Sequence, residues 1–85
     1  MESIEVKKIL DEALQLQEVY IKTNDGSHFE IIAVDKQFSD MSRLKQQQLI
    51  YGPLMEYIQT NDIHAVSIKT FTPDNWERDK KLISL

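Results

Sequence analysis

Cysteine is absent from this 85-residue chain, which removes disulfides and any thiol chemistry of its own and fits a reducing compartment. Glycine occurs only at Gly26 and Gly52, too sparsely for a dinucleotide fingerprint or a Walker loop. The only histidines, His28 and His64, are too far apart for a closely spaced zinc pair, and a serine nucleophile elbow is also missing. Nothing in the pattern assembles an acid, a base and an oxyanion site. No apolar run approaches membrane-spanning length, and Met1-Glu2-Ser3-Ile4-Glu5 is acidic and amphipathic, unlike a basic-then-apolar signal peptide. The expectation is a cytoplasmic protein that is not an enzyme.

An excess of positive charge is lacking too. The formal charge of −4 argues against a general nucleic-acid binder, whose affinity comes from neutralising phosphates. The charge is uneven: residues 1–42 hold four lysines against nine acids, whereas the remainder is slightly basic through Arg43, Lys45, Lys69, Arg78, Lys80 and Lys81. A basic face on the second half is one reading of this, and an ordinary solvated surface is the preferred one. The length predicts one domain, residues 1–85, with a thin core and no room for a deep cleft, which favours a binding or adaptor role over catalysis.

What is present is periodic. Val6, Ile9, Leu10, Ala13 and Leu14 recur at helical spacing, so the first element is a helix with one buried face, which Ser3 can cap. Val19, Ile21 and Thr23 alternate with polar residues as a half-exposed strand, Asn24-Asp25-Gly26 supplies a tight turn, and Phe29–Val34 is the more buried partner of a hairpin. A short connection, Asp35 to Met41, leads to a helix from about Arg43 to Ile58, with a cap from Ser39, Asp40 or Ser42. Ile50, Tyr51, Leu54, Met55 and Ile58 form its apolar side, Met41 and Met55 read as core filler, and Gln46, Gln47 and Gln48 read as solvated surface. Pro53 interrupts the helix, so a kink or a second helical piece starting near Pro53 is expected.

Thr60-Asn61-Asp62 ends that helix, and Ile63–Phe71 alternates as a third strand with His64, Val66, Ile68 and Thr70 on one face. Thr72-Pro73-Asp74 is a helix start, and a short charged helix bearing Trp76 follows. The order helix, hairpin, helix, strand, helix predicts an α+β fold with the third strand parallel to its predecessor through a right-handed crossover.

Each histidine admits two readings. His28, just after the turn, is either an exposed strand-end residue or a metal or cluster ligand on a mobile loop. His64 is either a core-edge histidine bonded to the backbone or the centre of whatever chemistry the chain carries. Two imidazoles cannot complete a four-coordinate site, so any thiolates must come from a partner.

Asp25-Gly26-Ser27-His28-Phe29, Phe38 with Met41-Ser42-Arg43, the run Gln46–Ile58, and above all Ile63–Pro73 with Trp76 resemble the BolA family over nearly the whole chain, closest to its bacterial IbaG branch. The resemblance implies a class II KH-like fold, with a three-stranded mixed sheet covered by helices. It also implies a non-enzymatic partner of monothiol glutaredoxins that shares a [2Fe-2S] cluster in a heterodimer. His64, preceding the third strand, matches the family's principal cluster ligand. His28, in the short loop between the first two strands, matches the second. The glutaredoxin cysteine and glutathione supply the remaining ligands. A weak homodimer is a further expectation for the isolated chain, which would hold no cluster alone. Some family members imply instead a stress-response transcriptional regulator, for which Arg43, Lys45, Lys69, Lys80 and Lys81 are the candidate phosphate contacts. Gly26 and Gly52 cannot form the Gly-x-x-Gly clamp of KH domains.

Overall fold

The computed structural model describes residues 1–83. Helix α1 spans Ser3–Ala13 and buries Val6 and Leu10 completely, with Ile9 and Leu14 half-buried. Ala13 is exposed, on the rim of the stripe. Ser3 does not cap this helix: Glu2 holds the cap position, and its backbone N–H donates to Glu5 Oε1 at 2.9 Å. A glutamate three residues on reaches back to a free amide, as in a capping box, so Ser3 falls one residue inside the helix.

Strands β1 (Glu18–Thr23) and β2 (His28–Val34) form the expected antiparallel hairpin, with Val19 opposite Ala33 and Ile21 opposite Ile31. Strand β3 (Ala65–Phe71) runs parallel to β2, so β2 is the central strand. From Ile31 onward β2 is buried on both faces. Phe29, Ile31 and Ala33 join Val6, Leu10, Ile50, Leu54 and Ile63 in the main core, while Ile32 and Val34 meet Trp76 on the opposite face. That accounts for its nearly unbroken apolar run, since a strand covered on both sides has no solvent face to mark with polar residues.

The connection after β2 is more ordered than its composition suggested. Asp35 accepts from Gln37 N–H at 3.0 Å and starts a 3-10 turn over Lys36–Asp40 that places Phe38 in the core. Ser42 then caps α2 (Arg43–Tyr51), accepting from Lys45 N–H at 3.2 Å. At Gly52–Leu54 the backbone tightens into a 3-10 turn carrying Pro53, and a short α3 (Met55–Gln59) follows, so the long helix is two pieces as expected. Met55 lies on the outer side of that break and is 48% exposed, which corrects its assignment to the core. The tighter turn rotates the following residues out of the phase that a continuous helix would have kept.

Two of the three glutamines also depart from expectation. Gln46 Nε2 donates to the Phe38 and Met41 carbonyls at 2.9 and 3.0 Å, its Oε1 accepts from the Thr70 hydroxyl, and Gln47 Nε2 donates to the Ile68 carbonyl at 3.2 Å. Only Gln48 is solvated surface. With Tyr51, whose hydroxyl donates to the Val66 carbonyl at 3.4 Å, Gln47 covers part of the outer edge of β3. Unpaired strand edges invite pairing with other chains, and side-chain donors from α2 occupy this one.

Asn61, at φ 66°, turns the chain out of α3, and Ile63 N–H donates to the Tyr57 carbonyl at 2.9 Å. Asparagine tolerates this left-handed conformation, which makes it a stop signal. After β3, Thr72 caps α4 (Pro73–Asp79) with Pro73 in the first turn, and Trp76 packs against Phe71 and stacks on Tyr20 at a centroid distance of 5.4 Å. Helices α1 and α2 thus cover one face of the sheet, while α4 covers part of the other. No helix among the described residues is long and apolar enough to cross a membrane.

Candidate functional site

The β1–β2 loop is built around Asp25. Its Oδ1 accepts from the backbone N–H groups of Ser27 and His28, both at 2.9 Å, and its Oδ2 lies 2.7 Å from His28 Nδ1. An aspartate accepting from amides two and three residues on is an Asx-type turn. The three contacts stabilise the carboxylate and hold its pKa well below the usual carboxylate range, the backbone donors of His28 and Ser27 contributing most. Gly26 adopts φ +75°, and Thr23 Oγ1 accepts from its N–H at 2.9 Å while donating to the His28 carbonyl at 2.8 Å. Phe29, buried in the core, anchors the other side of His28.

His64 is placed from the opposite direction. Ile63 is fully buried and fixes the chain immediately before it, and β3 begins immediately after. Its backbone N–H donates to the Ser27 carbonyl at 2.7 Å, and Ala65 N–H shares that acceptor at 3.2 Å. One carbonyl of the hairpin loop therefore ties the start of β3 to the start of β2. The tie brings His28 and His64 to a ring-centroid distance of 4.9 Å with their planes at 58°.

Both residues are exposed, the His28 side chain by 57%, so neither imidazole is a core residue. His64 is not the core-edge histidine its alternation with Val66 allowed, because it precedes the strand proper. Among the described residues no hydrogen bond engages its ring, whereas His28 Nδ1 is taken by Asp25, with Ser27 Oγ at 3.3 Å. Beside the pair, on the sheet face that α4 leaves open, Lys22, Glu30, Ala65 and Ser67 line a groove of about 480 Å³. The small side chains of Ala65 and Ser67 keep the approach to His28 clear.

Two imidazoles are nitrogen donors for a transition metal, yet no group of three or more metal-ligating side chains gathers among the described residues. The pair offers two nitrogen donors side by side on an exposed surface. Asp25 is the site residue that sequence reasoning left as a mere turn former. Its spacing to His28, with a glycine between, is the signal that would have found it.

The five candidate phosphate contacts do not gather. Arg43 and Lys45 lie on the first turn of α2, on one side of the sheet. Lys69 alternates with Phe71 and so lies on the α4 side, where Lys80 pairs with Glu77 at 2.6 Å and Lys81 follows in the next turn. The sheet separates the two groups.

Residues 3–75 match the family model described as BolA-like protein. The acid stress protein IbaG of Escherichia coli (strain K12) is 58% identical over 82 residues, covering 96% of each chain. Among solved structures, a Bol-like protein from Babesia bovis superimposes with a TM-score of 0.77 at 25% identity, over 94% of each chain. BolA1 from Arabidopsis thaliana gives 0.72 at 29% identity, over 87% of this chain and 96% of that one. Two of the motifs that carried the resemblance, Asp25–Phe29 and Ile63–Pro73, build the histidine pair, and the chain belongs to the BolA family, in its IbaG-like bacterial branch.

Proposed function

We propose that the chain is a non-enzymatic iron–sulfur adaptor that pairs with a monothiol glutaredoxin and shares a [2Fe-2S] cluster through His64 and His28, in iron–sulfur trafficking or iron homeostasis. The observation that carries this reading is the outward-facing imidazole pair, contributed by two separate segments and held at 4.9 Å. A [2Fe-2S] cluster takes four ligands, mainly thiolates, and two histidines can replace two of them on one iron. The donor set therefore fits half a site, with the remaining ligands coming from the glutaredoxin cysteine and glutathione. When bound, such a cluster supplies a redox-active, transferable iron–sulfur unit whose potential histidine ligation raises.

This chain's own residues do the positioning. Ile63 and the Ser27 carbonyl set where His64 stands, Asp25 holds the His28 ring, and the open groove leaves room for a partner's approach. Protons compete with iron for imidazole nitrogen, so pairing is expected to weaken in acid, which is consonant with the acid-stress name of the E. coli relative. Division of the basic side chains between two faces favours the adaptor over a DNA-binding regulator.

The test is anaerobic reconstitution with a monothiol glutaredoxin and glutathione, followed by visible absorption and circular dichroism. A heterodimer should form with a cluster spectrum unlike that of the glutaredoxin alone. His64→Ala should weaken it most and His28→Ala less, following the family's order of ligands. Spectra identical to the parent's in both variants would defeat the assignment.

A further inference from the structure

We infer that Asp25 is a positioning residue that locks the neutral His28 ring as its Nδ1–H tautomer, so that Nε2 carries the lone pair offered to an incoming metal. The inference rests on the adaptor reading above for its purpose, while its geometry stands independently. An ionised carboxylate only accepts, so an imidazole nitrogen 2.7 Å from Asp25 Oδ2 must be the protonated one. The other carboxylate oxygen is engaged by the Ser27 and His28 backbone donors, which prevents the side chain from turning away. Ser27 Oγ, at 3.3 Å from the same nitrogen, is a longer contact that can turn its hydroxyl to accommodate either state. Metal-binding histidines commonly donate their second ring N–H to a carboxylate, which fixes tautomer and orientation and raises basicity. Here that partner lies three residues before the histidine, in the same loop, so ring and turn are set together. His64 has no such partner among the described residues. The two imidazoles are therefore unequal: one is pre-oriented, and the other is free to adjust to a docking protein.

Substitution of asparagine separates positioning from folding. In Asp25→Asn the side-chain carbonyl can keep both backbone donors, which leaves the amide N–H facing His28 Nδ1. The ring must then accept at Nδ1 and carry its proton on Nε2, where it blocks the outward lone pair. Turning the amide round would instead set a donor against two backbone donors. Asp25→Ser supplies a second variant, because a serine hydroxyl can still form the turn but does not reach the ring.

The experiment is long-range 1H–15N correlation on the isolated chain at alkaline pH, where pyrrole-type and pyridine-type ring nitrogens are distinguished directly. The Ser27 and His28 amide signals report whether the turn survives. In the parent, His28 should show a protonated Nδ1 and a bare Nε2. Asp25→Asn should reverse this, and Asp25→Ser should leave a mixture. In heterodimer reconstitution, Asp25→Asn should raise the protein concentration needed for half-maximal cluster pairing by about 10- to 100-fold, the range typical of lost outer-shell partners. A parent ring already protonated on Nε2, or a tautomer unchanged in both variants, overturns the inference whatever the cluster does. A reversed tautomer with parental cluster pairing upholds the positioning role and instead removes His28 from the ligands in the adaptor reading.

Discussion

Replacing Gln46 by alanine tests the least expected packing feature of the fold. Its amide joins the 3-10 turn after β2, the body of α2 and strand β3 through donations to the Phe38 and Met41 carbonyls and acceptance from Thr70. A net hydrogen bond contributes about 0.5–1.5 kcal/mol, and more is lost when buried partners are left unpaired. The side chain is half-buried, so water can replace part of what is lost, and alanine returns a few tenths of a kcal/mol in helix propensity. The expected destabilisation is about 2 kcal/mol. For a chain this short, urea unfolds with a slope near the lower end of about 1–3 kcal/mol/M, so the midpoint should fall by roughly 1–2 M. Gln48→Ala, at an exposed position on the same helix, should stay within about 0.5 kcal/mol of the parent. Gln46→Glu sharpens the comparison, since it keeps the shape but offers carboxylate oxygens to two carbonyls; it should destabilise at least as much as alanine. Equal midpoints for Gln46→Ala and Gln48→Ala in equilibrium unfolding would refute the bridging role.

The glycines should respond oppositely to alanine. Gly52 has helical dihedrals and open space around a built Cβ, so Gly52→Ala should stabilise by about 0.4–1 kcal/mol; Gly26→Ala, at φ +75° with the Met1 carbonyl oxygen 3.1 Å from the new Cβ, should destabilise by about 1–3 kcal/mol, both read by denaturant midpoints. Trp76→Ala removes the side chain that clamps α4 to the sheet and should cost about 3–5 kcal/mol, with early loss of amide protection in α4 by hydrogen exchange. Because Asp25 is more acidic folded than unfolded, its contribution to stability is complete above the ordinary carboxylate range and is lost as pH falls through its lowered folded value. Carboxyl titration followed by NMR should therefore find it still ionised at about pH 4, where ordinary aspartates are half protonated; half-protonation of Asp25 there would contradict the loop geometry.

Much of the fold could be read from sequence because it depends on interactions between near neighbours. Helical spacing of Val6 and Leu10, alternation in β1, Gly26 in its turn, the break at Pro53 and the Thr72-Pro73 start each act within a few residues. Parallel pairing of β3 followed from the crossover through α2. The family motifs marked both histidines for the same reason: they are contiguous in sequence. Where local reasoning was misplaced, a distant partner had intervened. Gln46 and Gln47 look solvated until β3 and the Phe38 turn come within reach, and Met55 looks buried until the 3-10 turn shifts its phase.

The sequence by itself determined the kinds of element, their order, and that a cysteine-free chain offers two imidazoles and no thiolate. Tertiary structure decided that those imidazoles meet. The β2–β3 register and the shared Ser27 carbonyl bring His28 and His64 together, Asp25 orients one of them, and the intervening sheet keeps the basic residues apart. The physical reason is range. Capping, turn chemistry and periodicity are set by neighbouring residues, whereas the distance between two rings from separate segments is set by burial of Phe29 and Ile63 in a common core.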